Sequence, residues 1–185
     1  MDVPRERSIA TRSGLLALAV LAAAARSFAE PTEALPAVGA PSLAVPFFVD
    51  RKLGDGMRGS LEEAARRLSD SRCQDVLGDF TDGRGRTLEA NLRETGQTLP
   101  AYLGYVLFYD GSTTEACESE RVLAWTSPGS RAVHVCWNQF SYWQRANVGY
   151  TATIVIHETL HTLGLGEGPP TSGAITAKVI ARCGA

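Results

Sequence analysis

The apolar positions change period along the chain. In "GSLEEAARRLSDSRC" (59–73), Leu61, Ala64, Ala65 and Leu68 recur at three- and four-residue spacing, which predicts a helix with one buried face. Ser60 is placed to cap it, with Glu63 three residues on. "DFTDGRGRTLEANLRETG" (79–96) opens on a turn at Asp82 and Gly83, then predicts a short helix over 86–95 that stops at Gly96. In the middle third the period shortens. "AYLGYVLFYDGS" (101–112), "RVLAWTS" (121–127) and "SRAVHVCWNQF" (130–140) are rich in β-branched and aromatic residues and are punctuated by Asp-Gly and Pro-Gly, so they predict strands. In the last of these, Ala132, His134 and Cys136 alternate with Val133, Val135 and Trp137, so one face packs and the other differs in character. The helical period returns in "NVGYTATIVIHETLHTLG" (147–164), which runs into Gly164. A final helix over 171–182 carries Ile175, Val179 and either Ala174 or Ile180 on one side. The order predicts an α+β domain: a mixed or antiparallel sheet packed on the 147–164 helix, followed by a C-terminal helix.

The N-terminus has a different character. Arg5, Arg7 and Arg12 precede a wholly apolar run at 15–25, and small residues at Ser27 and Ala29 follow. That is the order of a secretory signal peptide over 1–29, and the apolar run is shorter than the ~20 residues a membrane-spanning helix needs. Residues 30–50 are rich in proline and read as an extended leader, which leaves 51–185 as the folded domain. Export places the mature chain in a secreted or periplasmic, oxidising compartment, without stable membrane insertion after cleavage.

Export also decides how the cysteines read. Cys73, Cys117, Cys136 and Cys183 are even in number and lie beyond the signal region, as expected for two disulfides. The closest pair is 19 residues apart, unlike the Cys-x(2–4)-Cys spacing of structural zinc sites. A bridge through Cys183 would staple the C-terminal segment to the body. Residues 1–29 hold four basic and two acidic side chains, leaving 14 basic and 18 acidic, a net of −4. There is no basic stripe to meet phosphates, which disfavours nucleic acid as a partner.

The chemistry concentrates in "IVIHETLHTLGLGEG" (154–168), which holds two of the three histidines. On a helix, His157 and His161 lie one turn apart on the same face and can hold one ion, Zn²⁺ for preference. Glu158, one step round, is placed to act as base on a water at the ion. The sequence after Glu167 contains no Asp, Glu or His, so no later helix supplies a third ligand. His134, upstream in a predicted strand, and Glu167 remain. Glu167 is preferred, because Gly164 can take a positive φ, end the helix and turn the chain back under the ion.

"HETLHTLGLGE" resembles the extended motif of the metzincin metallopeptidases, with glutamate in the last ligand place. The shared positions are His157, Glu158, His161, Gly164 and the slot filled by Glu167. The resemblance implies a small zincin-like domain that cleaves peptide bonds by a metal-activated water. Metzincins also carry a methionine turn beneath the metal, and this chain has no methionine after Met57. Either another residue floors the site, Ile175 being a candidate, or the C-terminal half is built differently. The expected function is an exported zinc metallopeptidase acting on a peptide or protein. A non-catalytic extracytoplasmic metal-binding module and a zinc amidase acting on cell-wall material are the alternatives. Candidates for an oxyanion donor are His134, Tyr142, Asn147 and Tyr150. If "RAVHVCW" is an edge strand, an extended substrate can add to it.

Overall fold

The computed structural model describes residues 47–48 and 51–184; the signal peptide expected over 1–29 and nearly all of the leader expected over 30–50 lie outside them. The chain builds two long helices against each other and hangs a small sheet and a C-terminal helix on that pair. The first, α1 (Arg51–Leu68), buries Leu53, Met57, Leu61, Ala64, Ala65 and Leu68 along one stripe. It begins eight residues before the expected start at 59. Gly54 and Gly56 obscure the continuation of the stripe through Leu53 and Met57. At Gly56 the helix is bare because the Trp137 indole lies on it; a Cβ there would collide with the ring at Cη2. Ser60 is consequently not a cap. It is fully buried mid-helix and its hydroxyl hydrogen-bonds Thr151 at 2.7 Å.

Two short helices follow, α2 (Ser71–Gln74) and α3 (Leu88–Glu94), the second capped by Thr87. The expected strand over 101–112 divides into a helix, α4 (Leu99–Leu103), and a strand at Leu107–Asp110. Thr98 caps α4 and Pro100 occupies its first turn, local signals that override the β-rich composition.

The sheet has four strands: β1 (Phe47–Phe48), β2 (Leu107–Asp110), β3 (Ala124–Trp125) and β4 (Ala132–Val135), in the order β1-β2-β4-β3. The β1–β2 and β2–β4 pairs are parallel and β3 runs antiparallel to β4, so the sheet is mixed. Phe108, Val133 and Val135 face the core; Tyr109, His134 and Trp125 share the other, half-exposed face. β4 lies inside the sheet, hydrogen-bonded on both sides, which removes it as an edge for strand addition. The chain also leaves the strand early. At Trp137 it enters α5 (Trp137–Ala146), whose first N–H donates to Ser112 Oγ at 3.0 Å.

The last two helices are α6 (Val148–Thr162) and α7 (Ser172–Cys183). α6 is the centre of the fold: α1, α5, α7 and the sheet all pack on it, and Ile156 and Leu160 are fully buried. Ile175 and Val179 of α7 are also fully buried. Two disulfides, Cys73–Cys183 and Cys117–Cys136, use all four cysteines, and the first fastens the end of α7 to α2. Among the described residues no helix is long and apolar enough to cross a membrane.

Candidate metal centre

Asn147 starts α6 by accepting the Tyr150 N–H on its side-chain oxygen at 3.0 Å. At a rise of about 1.5 Å per residue, His157 and His161 then fall in the second half of the helix, deep in the protein. Their side chains are 4% and 6% exposed. The helix ends in a Schellman motif. The Gly164 N–H donates to the His161 carbonyl at 2.9 Å and the Leu165 N–H to Leu160 at 3.2 Å, while Gly164 takes φ 105°. This turn sends the chain back beneath the helix and delivers Glu167 to the histidines.

Three donor atoms converge there. His157 Nε2 and His161 Nε2 are 2.9 Å apart, and Glu167 Oε1 lies 3.2 Å from His161 Nε2 and 3.5 Å from His157 Nε2. Among the described residues, His157, His161 and Glu167 are the one group of this kind able to hold a metal ion. The opposite ring nitrogens are occupied. His161 Nδ1 faces the Leu165 carbonyl at 2.7 Å; a carbonyl only accepts, so Nδ1 carries a hydrogen and Nε2 is the ring atom turned to the cluster. His157 Nδ1 meets the Thr176 hydroxyl of α7 at 3.0 Å. Burial, and then neighbouring His161, hold the His157 pKa well below the ordinary imidazole range, so its ring is neutral near pH 7. Neutral imidazoles oriented by hydrogen bonds at the far nitrogen are the form in which histidine binds metals.

Glu158 sits beside this group on the same helix. It is 6% exposed, and its Oε2 is buried without a hydrogen-bond partner. Burial, with a smaller contribution from the Glu167 charge, pushes its pKa up to about 8. A buried carboxylate oxygen left without a partner is costly, and such exceptions concentrate at functional positions.

Other sequence candidates are placed elsewhere. His134 does not join the cluster; its ring stacks on Trp125 at 4.3 Å between centroids and on Tyr109 at 5.8 Å. Asn147 caps α6 at its far end. Tyr150 packs edge-on against Trp143, and Tyr142 is 63% exposed. Ile175 belongs to the core, and the α7 residue that reaches His157 is its neighbour Thr176. Thr176 carried no sequence signal, being a lone hydroxyl 19 residues after the histidine it touches. Asp82 and Asn91 were missed in the same way. Asp82 bridges Leu165 through the main chain, and Asn91 Nδ2 donates to the Leu163 carbonyl, so both hold the turn that carries Glu167. A cavity of about 440 Å³ at the end of α6 is lined by Arg84, Asn91, Tyr102, Gly129 and Leu163, among others. None of His157, Glu158, His161 or Glu167 lines it.

Comparison of the chain with family models, with curated proteins and with solved structures finds no match.

Proposed function

We propose that the protein is an exported zinc-dependent hydrolase, a peptidase of small zincin-like design, with His157, His161 and Glu167 as ligands and Glu158 as general base. One juxtaposition carries this reading: two imidazole nitrogens and a carboxylate oxygen converge beside Glu158, a buried side chain whose Oε2 has no hydrogen-bond partner. The separations of 2.9, 3.2 and 3.5 Å fit zinc. Tetrahedral ligands at bonds of about 2.0–2.1 Å stand about 3.3–3.4 Å apart, and three protein ligands leave the fourth place open. Bound zinc polarises a carbonyl and lowers the pKa of a water towards neutrality. A nearby cation also favours the ionised form of Glu158 against its burial. Glu158 then takes a proton from water at its unpartnered oxygen and returns it to the departing amine. The two disulfides support an oxidising compartment, in keeping with the signal-like residues 1–29.

The test pairs metal analysis with a peptide-library digest. Wild type and Glu158→Gln both retain one zinc, and Glu158→Gln loses at least about 10²-fold in turnover. Glu167→Ala loses metal. Equal turnover in Glu158→Gln rejects the base, and full occupancy in Glu167→Ala moves the third ligand elsewhere. The depth of Glu158, 6% exposed, favours a second reading, a metal-binding module without turnover. Stoichiometric zinc with no cleavage of peptides or cell-wall amides selects it.

A further inference from the structure

The four cysteines pair in a nested order. Cys73, the first of them, is bonded to Cys183, the last, and Cys117 is bonded to Cys136 between them. All four are buried, so neither bond is open to exchange once the chain has folded. Export delivers a chain N-terminus first into an oxidising compartment, where thiols pair as they arrive. The first partner that Cys73 meets is therefore Cys117, 44 residues on, and not Cys183, 110 residues on. Cys136 follows Cys117 by 19 residues, an interval of about 1–4 s at roughly 5–20 residues per second.

Native structure does not protect Cys73 in that interval. It lies in α2, which packs on α7, and α1 beside it packs most extensively on α6; both of those partners follow Cys136 in the chain. Proximity does not exclude the wrong bond either, once Cys136 has arrived. Closure falls off with about the three-halves power of loop length, so the 19-residue loop is favoured over the 44-residue one by only about 3–4-fold. We infer that a sizeable fraction of chains matures through a Cys73–Cys117 bond, and that a thiol–disulfide isomerase of the export compartment is the partner that resolves it.

The starting bonds are made by a disulfide-bearing oxidant, which takes up two electrons and two protons for each. With Cys73–Cys117 and Cys136–Cys183 in place, the isomerase thiolate attacks Cys73 Sγ and expels Cys117 as thiolate. Cys117 Sγ then attacks Cys136 Sγ and expels Cys183, and Cys183 Sγ attacks Cys73 Sγ and expels the isomerase. Two disulfides and one isomerase thiolate stand at the end as at the start, so no electrons are gained or lost. Without these exchanges the fold stays open. Cys117 belongs beside Cys136 at the entry to α5, so a Cys73 tied to it cannot bond Cys183, and α7 is not fastened to α2. Thr176 of α7, which meets His157, is then not held at the metal centre.

This maturation route rests on the export proposed above, and the experiment separates the two. The full chain is exported from a bacterial host with and without its periplasmic thiol–disulfide isomerase, the disulfide oxidase being kept in both. Free thiols are alkylated, and the pairing in the exported chain is read by mass spectrometry of unreduced peptides. Without the isomerase, Cys73–Cys117 is expected in at least about one chain in five, the share that a closure preference of about 3–4-fold leaves. With it, only Cys73–Cys183 and Cys117–Cys136 are expected. Cys117→Ala/Cys136→Ala can form only the Cys73–Cys183 bond, so its yield should not depend on the isomerase; if it does not accumulate, the wild-type maps decide. Native pairing in equal yield with and without the isomerase, or an isomerase dependence that persists in the variant, overturns the route and leaves export standing. A chain that stays in the cytosol with four free thiols overturns both.

Discussion

Asn91 Nδ2 donates to the Leu163 carbonyl at 2.8 Å, joining α3 to the end of α6 across 72 residues. The same amide nitrogen donates to Asp82 Oδ2 at 3.0 Å, and its oxygen accepts from Arg86. Both amide hydrogens are therefore used, and one of them satisfies a carbonyl that the helix end leaves without an intrahelical partner. Asn91→Ala breaks these bonds and is expected to cost about 1–3 kcal/mol. Because Leu163 opens the turn that delivers Glu167, zinc affinity should fall along with the melting temperature. A stable variant with wild-type affinity would show that the turn holds itself.

The turn has a second, purely backbone requirement at Gly164. Its φ of 105° is one that residues with a Cβ rarely adopt, and a Cβ would approach Asp82 Cβ to 3.2 Å. Gly164→Ala is expected to cost about 1–3 kcal/mol and to displace Glu167, weakening zinc binding. Gly166→Ala is the control: nothing lies within 4 Å of its Cβ position. It should stay within about 0.5 kcal/mol of wild type. Equal destabilisation by the two changes would count against a special role for Gly164.

These two positions mark how far the site was legible in the sequence. His157, Glu158, His161, Gly164 and Glu167 lie within eleven residues, so helix geometry and one glycine were enough to relate them. Asn91, Asp82 and Thr176 act on that site through long-range contacts, which leave no local spacing to read. The fold divides similarly. The spans of α6 and α7 match their periodic stretches closely; α7 has one regular buried face, whereas α6 is buried on nearly every side from Thr151 to Thr162. Gly54 and Gly56 hide the start of α1, and Gly56 is bare because the Trp137 indole packs on it. The strand expected over 130–140 runs four residues into the helix at Trp137–Ala146, because Trp and Phe suit both states. The first N–H of that helix donates to Ser112, 25 residues earlier, a contact that leaves no local spacing to read.

The two disulfides should contribute unequally. Cys73–Cys183 closes a span of 110 residues and Cys117–Cys136 one of 19. On the chain-entropy account, loops of these sizes are worth about 4.7 and about 3 kcal/mol respectively. Cys73→Ala/Cys183→Ala is therefore expected to lose more stability in denaturant than Cys117→Ala/Cys136→Ala. It should also weaken zinc binding, because α7 carries Thr176. A shorter-loop variant that is the less stable of the two would contradict the ranking.

Acid stability should depend on Glu63, which ties α1 to α6 through arginine. Its carboxylate accepts from Arg66 at 2.8 and 2.7 Å and from Arg67 Nε at 2.7 Å, and Arg67 Nη1 reaches Thr153 Oγ1 at 3.2 Å. The hydrogen bonds from Arg66 outweigh the opposing effect of burial and, with a smaller contribution from Arg67, lower its pKa from 4.5 to about 2. A pKa lower in the folded than in the unfolded state means that the unfolded chain binds the proton more readily. The stabilisation is thus complete above about pH 4.5 and fades as the pH falls towards about 2. Water screens much of this ion pair, so its worth is about 1 kcal/mol. Glu63→Gln should lower the melting temperature at neutral pH and converge on wild type near pH 2, both measured with chelator present so that metal loss does not contribute. A gap between the two proteins that stays constant from neutral pH to about 2 would assign the effect to packing of the side chain.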